Sequence, residues 1–155
     1  MSSIHVRQVS VTDPHLLSLI RKLDEYLAEK YPEDEIYGLD LSSPSMSSVL
    51  FAVAYADHTP VGCGALAPLE GESLELKRFY VEEAYRQQGV ATQVLTFLEH
   101  EAAKQGFRFV RLETGTLQPE AIKFYKKHSY REIDRFGRYV DSGLSVCFEK
   151  VISYT

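Results

Sequence analysis

Glu75-Leu-Lys-Arg-Phe-Tyr-Val-Glu-Glu-Ala-Tyr-Arg-Gln-Gln-Gly-Val-Ala91 reads as a β-strand that ends near Val81, a polar turn, and a helix that starts near Gly89. A helix N-terminus presents backbone N–H groups without intrahelical partners and a partial positive charge, so it favours a bound phosphate. Glycine at 89 lets the backbone come close to phosphate oxygens. Alone, Arg86-Gln-Gln-Gly-Val-Ala91 is a weak signal and fits an ordinary tight turn with a surface arginine. Its position between a strand and a helix strengthens it.

Upstream of this stretch, residues 49–56 (VLFAVAYA) and 61–66 (VGCGAL) are β-rich runs joined by Asp57-His58-Thr59-Pro60, which reads as a hairpin turn. With the run Leu74 to Val81, which follows the turn EGES, they predict an antiparallel meander. Downstream, a helix from about Gly89 to Gln105 has Val90, Val94, Leu98 and Ala102 on one side and Gly106 as its C-cap. A strand from Phe107 to Glu113 and a helix beginning near Pro119 follow, which makes a β-α-β crossover. Tyr130 to Arg135 and Leu144 to Ile152 read as two more strands.

At the other end, Ile4 to Val9 reads as a strand, Asp13-Pro14 as a helix cap followed by proline at the first helical position, and Leu16, Ile20, Leu23 and Leu27 as one buried stripe. Residues 31–48, rich in acidic, Pro, Gly and Ser residues, make a segment too long for a simple connector. The pattern predicts an α/β (α+β) fold in a single domain, 1–155. Its mixed sheet has about seven strands, largely antiparallel, with helices on both faces.

A chain of 155 residues with 45% hydrophobic and 25% charged residues has the balance of a soluble globular protein. No apolar run approaches the roughly 20 residues that cross a bilayer, and Met1-Ser-Ser-Ile-His-Val6 lacks the basic start and apolar stretch of a secretory signal. A cytoplasmic location is the expectation. Cys63 and Cys147 sit in strand-like segments and read as buried free thiols. The net charge of −5 disfavours nonspecific attraction to nucleic acid. The five histidines have no metal-ligand spacing, and no metal is expected.

The stretch 75–91 together with LETGTLQPEAIKFYKKHSY (112–130) resembles the GNAT N-acetyltransferases. That family binds a pyrophosphate with a Q/R-x-x-G-x-G/A turn after a strand, and carries a tyrosine in an A-x-x-x-Y context on a later helix. The resemblance runs from about Val49 to Ile152, and more loosely over the first strand and helix. It implies a GNAT fold with a V-shaped cofactor slot and acetyl-CoA as cosubstrate. Arg86, Gly89 and Ala91 match the phosphate loop, with Gln87, Gln88, Val90 and Thr92 supplying further N–H groups; Ala121 and Tyr125 match the second helix. Phe79, Tyr80 and Val81 occupy the place where the family's strand splays to pair with the pantetheine amides. Two positions depart from the family pattern. Gln118 stands where many members carry an asparagine that bonds the pantetheine arm, and either serves that role or caps the helix. Ser129 stands where a glycine is common, so an αL-type cap there is less comfortable.

The resemblance assigns Tyr125 as general acid, a phenol that protonates the departing thiolate of coenzyme A. Read without the family, it is an aromatic on a buried helix face. Glu75 is the candidate base for the acceptor amine, directly or through water, and a structural pair with Lys77 is the competing reading. In an unbulged strand Glu75, Lys77, Phe79 and Val81 share one face, while Leu74, Leu76 and Arg78 share the other.

The implied activity is transfer of an acetyl group from acetyl-CoA to a primary amine by direct attack in a ternary complex. An acyl-CoA-binding regulatory module without turnover is the alternative. LETG-x-x-QPEAI-x-x-Y is similar to small bacterial GNAT proteins, for which a small-molecule amine or amino-acid-like acceptor is expected, with no nucleic acid or membrane partner and with room for a homodimer. Residues 31–48, with Asp34, Glu35 and Tyr37, are expected to cover the acceptor slot.

Overall fold

The structure, a computed structural model, describes residues 3–153. Met1, Ser2, Tyr154 and Thr155 lie outside the described residues, and with them the first residues of the stretch read above for a leader. Seven strands and three helices follow in the order β1 (Ile4–Val9), α1 (Pro14–Lys30), β2 (Leu50–Ala56), β3 (Thr59–Pro68), β4 (Ser73–Val81), α2 (Val90–Lys104), β5 (Phe109–Gly115), α3 (Pro119–Lys127), β6 (Arg131–Ile133) and β7 (Ser145–Val151). They build one sheet in the order β1-β2-β3-β4-β5-β7-β6. All its pairs are antiparallel except β4 with β5, the parallel pair that the α2 crossover connects. Among the described residues no helix is long and apolar enough to cross a membrane.

The local signals act as their chemistry requires. The Asp13 carboxylate accepts from the N–H groups of His15 and Leu16 at 2.9 and 3.1 Å and starts α1. On one face of the sheet Leu16, Leu19 and Ile20 of α1 pack on Phe51, Val53, Cys63 and Ala65. On the other, Val90, Val94, Leu95 and Leu98 of α2 and Tyr125 of α3 pack on Ala52, Ala54, Leu76 and Phe148. Leu19 joins the α1 stripe, while Leu27 is half-buried and lines a cleft. Both cysteines are free and buried.

Several strand boundaries differ from expectation. β5 starts two residues later than read, because the Phe107 N–H closes α2 on the Ala102 carbonyl (3.1 Å) past Gly106 at φ 92°. It extends to Gly115 because Thr114 and Gly115 still pair with Val146 and Ser145. β6 stops at Ile133, and the chain then turns through Gly137–Tyr139 so that the Tyr139 ring is buried. Ser129 takes φ 74°, the left-handed conformation in which glycine would be easier.

The irregularity that shapes the site is in β4. Cys63 of β3 faces Tyr80 and Ala65 faces Lys77, so Arg78 and Phe79 together oppose Gly64. This is a β-bulge, with Arg78 at φ 51°. It corrects the simple alternation. Glu75 and Lys77 lie on the α1 face, but Phe79 and Val81 pack into the α2/α3 core, and Arg78 reaches Asp24 of α1. The extra residue reverses the parity of everything after it.

Leu98 is fully buried between α2 and the sheet. Leu98→Ala should lower the unfolding free energy by about 2–5 kcal/mol, measured by urea denaturation, without changing the fold.

Candidate active site

β4 and β5 pair only from Ser73–Phe109 to Leu76–Leu112. Past Leu76, β4 continues along β3 and β5 continues along β7, so the two strands part. The edge of β4 from Lys77 to Val81 that faces β5 therefore has no strand partner among the described residues. Unpaired strand edges are templates for an extended polar ligand. The opening forms a cleft of about 970 Å³ walled by α1, β4, β5 and α3.

At one end of this cleft stands the start of α2. Gly89 is the N-cap at φ 84°, in the left-handed region, and no side chain caps the helix. The first intrahelical bond runs from Gln93 N–H to Gly89 C=O, which leaves the preceding N–H groups free of helical partners. A Cβ built on Gly89 meets nothing within 4 Å, so the space beside this residue is open. Arg86 folds back and donates from Nε to the Val81 carbonyl at 3.0 Å, which ties the loop to the end of β4. These features fit the pyrophosphate of a coenzyme.

Of the residues expected at the cofactor, Phe79, Tyr80, Val81, Arg86, Gln87, Ala91 and Gln118 line the cleft. Gln88 bonds the Ala84 carbonyl through its side-chain amide, the Val90 side chain is in the core, and the Thr92 hydroxyl lies 3.2 Å from His128 Nε2. These three, with Gly89, offer the cleft end only their backbone. The side chain of Gln118 caps nothing. Its Oε1 accepts from the Tyr31 hydroxyl at 3.3 Å, and the same hydroxyl accepts from Leu117 N–H at 3.2 Å.

At the apex where the strands part, Tyr125 and Glu75 both line the cleft. The Tyr125 ring is buried among Phe79, Phe124, Tyr130 and Phe148, and its hydroxyl has no hydrogen-bond partner among the described residues. Burial first, and then the Glu113 carboxylate, hold this phenol above its ordinary pKa, so it is fully protonated at neutral pH.

Glu75 is buried and accepts from the Tyr139 hydroxyl at 2.5 Å. Lys77 Nζ lies 3.1 Å from the same hydroxyl and 3.8 Å from Glu75 Oε2. The Glu75–Lys77 pair of the competing reading is thus present, with a tyrosine inserted into it. Burial lowers the Lys77 ammonium to about 8 against the opposing pull of Glu75.

Reading the sequence missed Tyr139, Tyr31 and Glu113. Tyr139 arrives from an irregular turn without periodicity. Glu113 sits inside the quoted LETG, but nothing local distinguishes it from a surface strand residue. Only the first part of the segment 31–48 lies along the cleft: Tyr31, Glu35, Ile36 and Tyr37 line it, and Tyr37 packs edge-on against Tyr139. Asp34 does not line the cleft.

The profile of the Acetyltransferase (GNAT) family matches residues 16–130 of this chain. A relative from Azospirillum brasilense, called IAA acetyltransferase, is 33% identical over 151 residues, 97% of this chain and 99% of its own. The crystal structure of an acyl-CoA N-acyltransferase from Klebsiella pneumoniae superposes with a TM-score of 0.85 at 29% identity, covering 97% of this chain and 98% of that one. PaiA N-acetyltransferase from Thermoplasma acidophilum, solved in complex with coenzyme A, shares the fold with a TM-score of 0.76 at 23% identity over 96% and 99% of the two chains. With its split sheet, its uncapped α2 N-terminus and a family match over most of its length, the chain belongs to the GNAT family of acetyltransferases.

Proposed function

We propose that this protein moves an acetyl group from acetyl-CoA to a primary amine of a small-molecule acceptor, by direct attack within a ternary complex. The observation that carries the reading is one cleft that joins three things. They are a phosphate-ready helix start, an unpaired strand edge, and an apex with an unbonded phenol on one side and a buried carboxylate on the other. The coenzyme A complex of a fold neighbour and the small-molecule name of the Azospirillum relative support the two ligand classes.

In this reading the N–H groups at Gln87–Thr92 take the pyrophosphate and the Phe79–Val81 edge pairs with the pantetheine amides, with Gln118 beside the arm. Glu75 takes a proton from the acceptor ammonium. The amine lone pair then attacks the thioester carbon, the C–S bond breaks, and Tyr125 gives its proton to the sulfur. Burial suits both roles: it keeps Tyr125 protonated until a thiolate appears, and it keeps water from competing with the amine.

Gly89→Asp places a carboxylate at φ 84° against the phosphates. It should weaken acetyl-CoA binding by several kcal/mol, on the scale of close like-charge repulsion. Calorimetry on the folded variant that returns wild-type affinity would remove the phosphate site.

Tyr125→Phe keeps the ring and its packing and deletes the donor. It should lower kcat by about 10²- to 10⁴-fold with little change in acetyl-CoA affinity. Thiol release at saturating substrates measures this, and a wild-type rate where chemistry is limiting sinks the assignment.

Glu75→Gln should give a defect that shrinks as pH rises, because more acceptor is then already neutral. A loss that is uniform across pH would instead leave Glu75 as a structural partner of Tyr139 and Lys77.

A further inference from the structure

Glu113 projects from β5 on the same side of the sheet as Glu75 and lines the cleft. Its Oε2 lies 2.6 Å from Ser145 Oγ; that hydroxyl lies 2.8 Å from Ser142 Oγ, which lies 2.6 Å from Glu35 Oε2. Both serines are buried, and Glu35 is half-buried in the segment that lies along the cleft. The other oxygen of Glu113 has no partner among the described residues.

Along this chain there are three oxygen–oxygen contacts, all at hydrogen-bonding distance, and the two hydroxyls hold one proton each. If each serine donates to its own carboxylate, the contact between Ser145 and Ser142 has no hydrogen in it. A third proton, carried by Glu113 or Glu35, fills all three contacts at once. The arrangement therefore takes up one proton and can hold it at either end.

The proposed reaction has such a proton to dispose of. An alkylammonium that becomes an amide loses two protons, and the sulfur of coenzyme A takes one. The other has to reach water. Glu75, held by Tyr139 and Lys77, accepts the first, which restores the proton that Tyr125 gives to the sulfur; the second is the one left over.

We propose that Glu113, Ser145, Ser142 and Glu35 form a proton relay that carries the acceptor nitrogen's second proton from the apex of the cleft to its rim. The inference rests on the acetyltransferase reading. As the C–N bond forms, the nitrogen gives its proton to the free oxygen of the Glu113 carboxylate. Ser145 turns its hydroxyl from Glu113 to Ser142, and Ser142 donates to Glu35. Rotation of the Glu113 carboxyl brings the proton to the oxygen that faces Ser145, and one hop along each bond then leaves Glu113 ionised, both serines neutral and the proton on Glu35, from which it passes to solvent.

The groups facing Glu113 are Lys77 and Glu75 of β4, Tyr125 of α3, Tyr31 after α1, Arg138 in the turn before β7, and Cys147 of β7. Burial raises the Glu113 carboxyl above the ordinary glutamate range, with Ser145 and Lys77 pulling it back and Glu75 adding to the rise. A carboxyl so raised is a better proton acceptor than an ordinary glutamate for an amine that is forming an amide.

Two measurements test the relay. The first needs no acceptor: infrared difference titration of the carboxyl stretch, with Glu113→Gln identifying the band. The intact chain favours the protonated carboxyl, because only then are all three contacts filled. Ser142→Ala breaks the chain without altering charge and should move the Glu113 midpoint down. An unchanged midpoint in that folded variant overturns the shared proton.

The second follows thiol release with alkyl monoamines, diamines and amino acids. Glu113→Gln and Ser145→Ala should lower kcat on the order of 10²-fold with acetyl-CoA affinity retained, and Ser142→Ala should become dependent on the concentration of a small buffer such as imidazole. Wild-type rates without buffer dependence in the serine variants reject the relay. Should the wild-type protein release no thiol with any amine, the proposed function fails, and the infrared result still decides the proton chain.

Discussion

The separation of β4 from β5 beyond Leu76 is the constraint on which the site depends. A parallel pair that stayed zipped would bond every backbone group to its neighbour and leave no room between them. The bulge at Arg78 and Phe79 takes β4 out of register with an ideal ladder and adds local twist. Holding a non-glycine residue at φ 51° costs roughly 1–3 kcal/mol. The Arg78 side chain offsets that cost: its guanidinium bonds Asp24 of α1 and the Tyr37 carbonyl at 3.1 Å. The bulge thus ties the splayed strand to α1 and to the segment along the cleft while it opens the slot.

The same bulge sorts the side chains. Before it, Glu75 and Lys77 point to the α1 side; after it, Phe79 turns to the other side and packs against Phe124 and Tyr125 of α3. A phenol carried by α3 and a carboxylate carried by β4 thereby line one cleft from opposite faces of the sheet. Buried charges at such a place need partners, because removing one member of a buried pair typically costs 3–5 kcal/mol. Tyr139 supplies the link, bonded to Glu75 and Lys77 together.

Two irregular segments close this apex, and they hold each other. Tyr37 packs on Tyr139, Arg138 donates to the Gly38 carbonyl at 2.8 Å, and Ser142 bonds Glu35. Tyr31 fills the space beside Gly115 so closely that a Cβ there would overlap its hydroxyl, and the same hydroxyl bonds Gln118 at the start of α3. The residues that line this side of the cleft therefore come from segments far apart in sequence and without secondary-structure periodicity.

Signals that act over a few residues were legible in the chain itself. Asp13-Pro14 starts α1, Gly89 and Gly106 bound α2, the stripe Val90, Val94, Leu98 and Ala102 faces the core, and Arg86 to Ala91 marks the phosphate-ready turn. Each depends on a backbone conformation or a helical repeat that local residue types dictate. Tyr125 and Glu75 were legible through the family pattern, since an aromatic in a helix and a glutamate in a strand look ordinary alone. The face on which Phe79 and Val81 lie could not be read, because one inserted residue reverses the alternation and leaves no mark in composition. Nor could the meeting of Glu75, Lys77 and Tyr139, or that of Glu113, Ser145, Ser142 and Glu35, be read. Their separations of 62 to 64 and 107 residues are bridged only when the sheet order sets β4, β5 and β7 side by side and brings the two irregular segments against them.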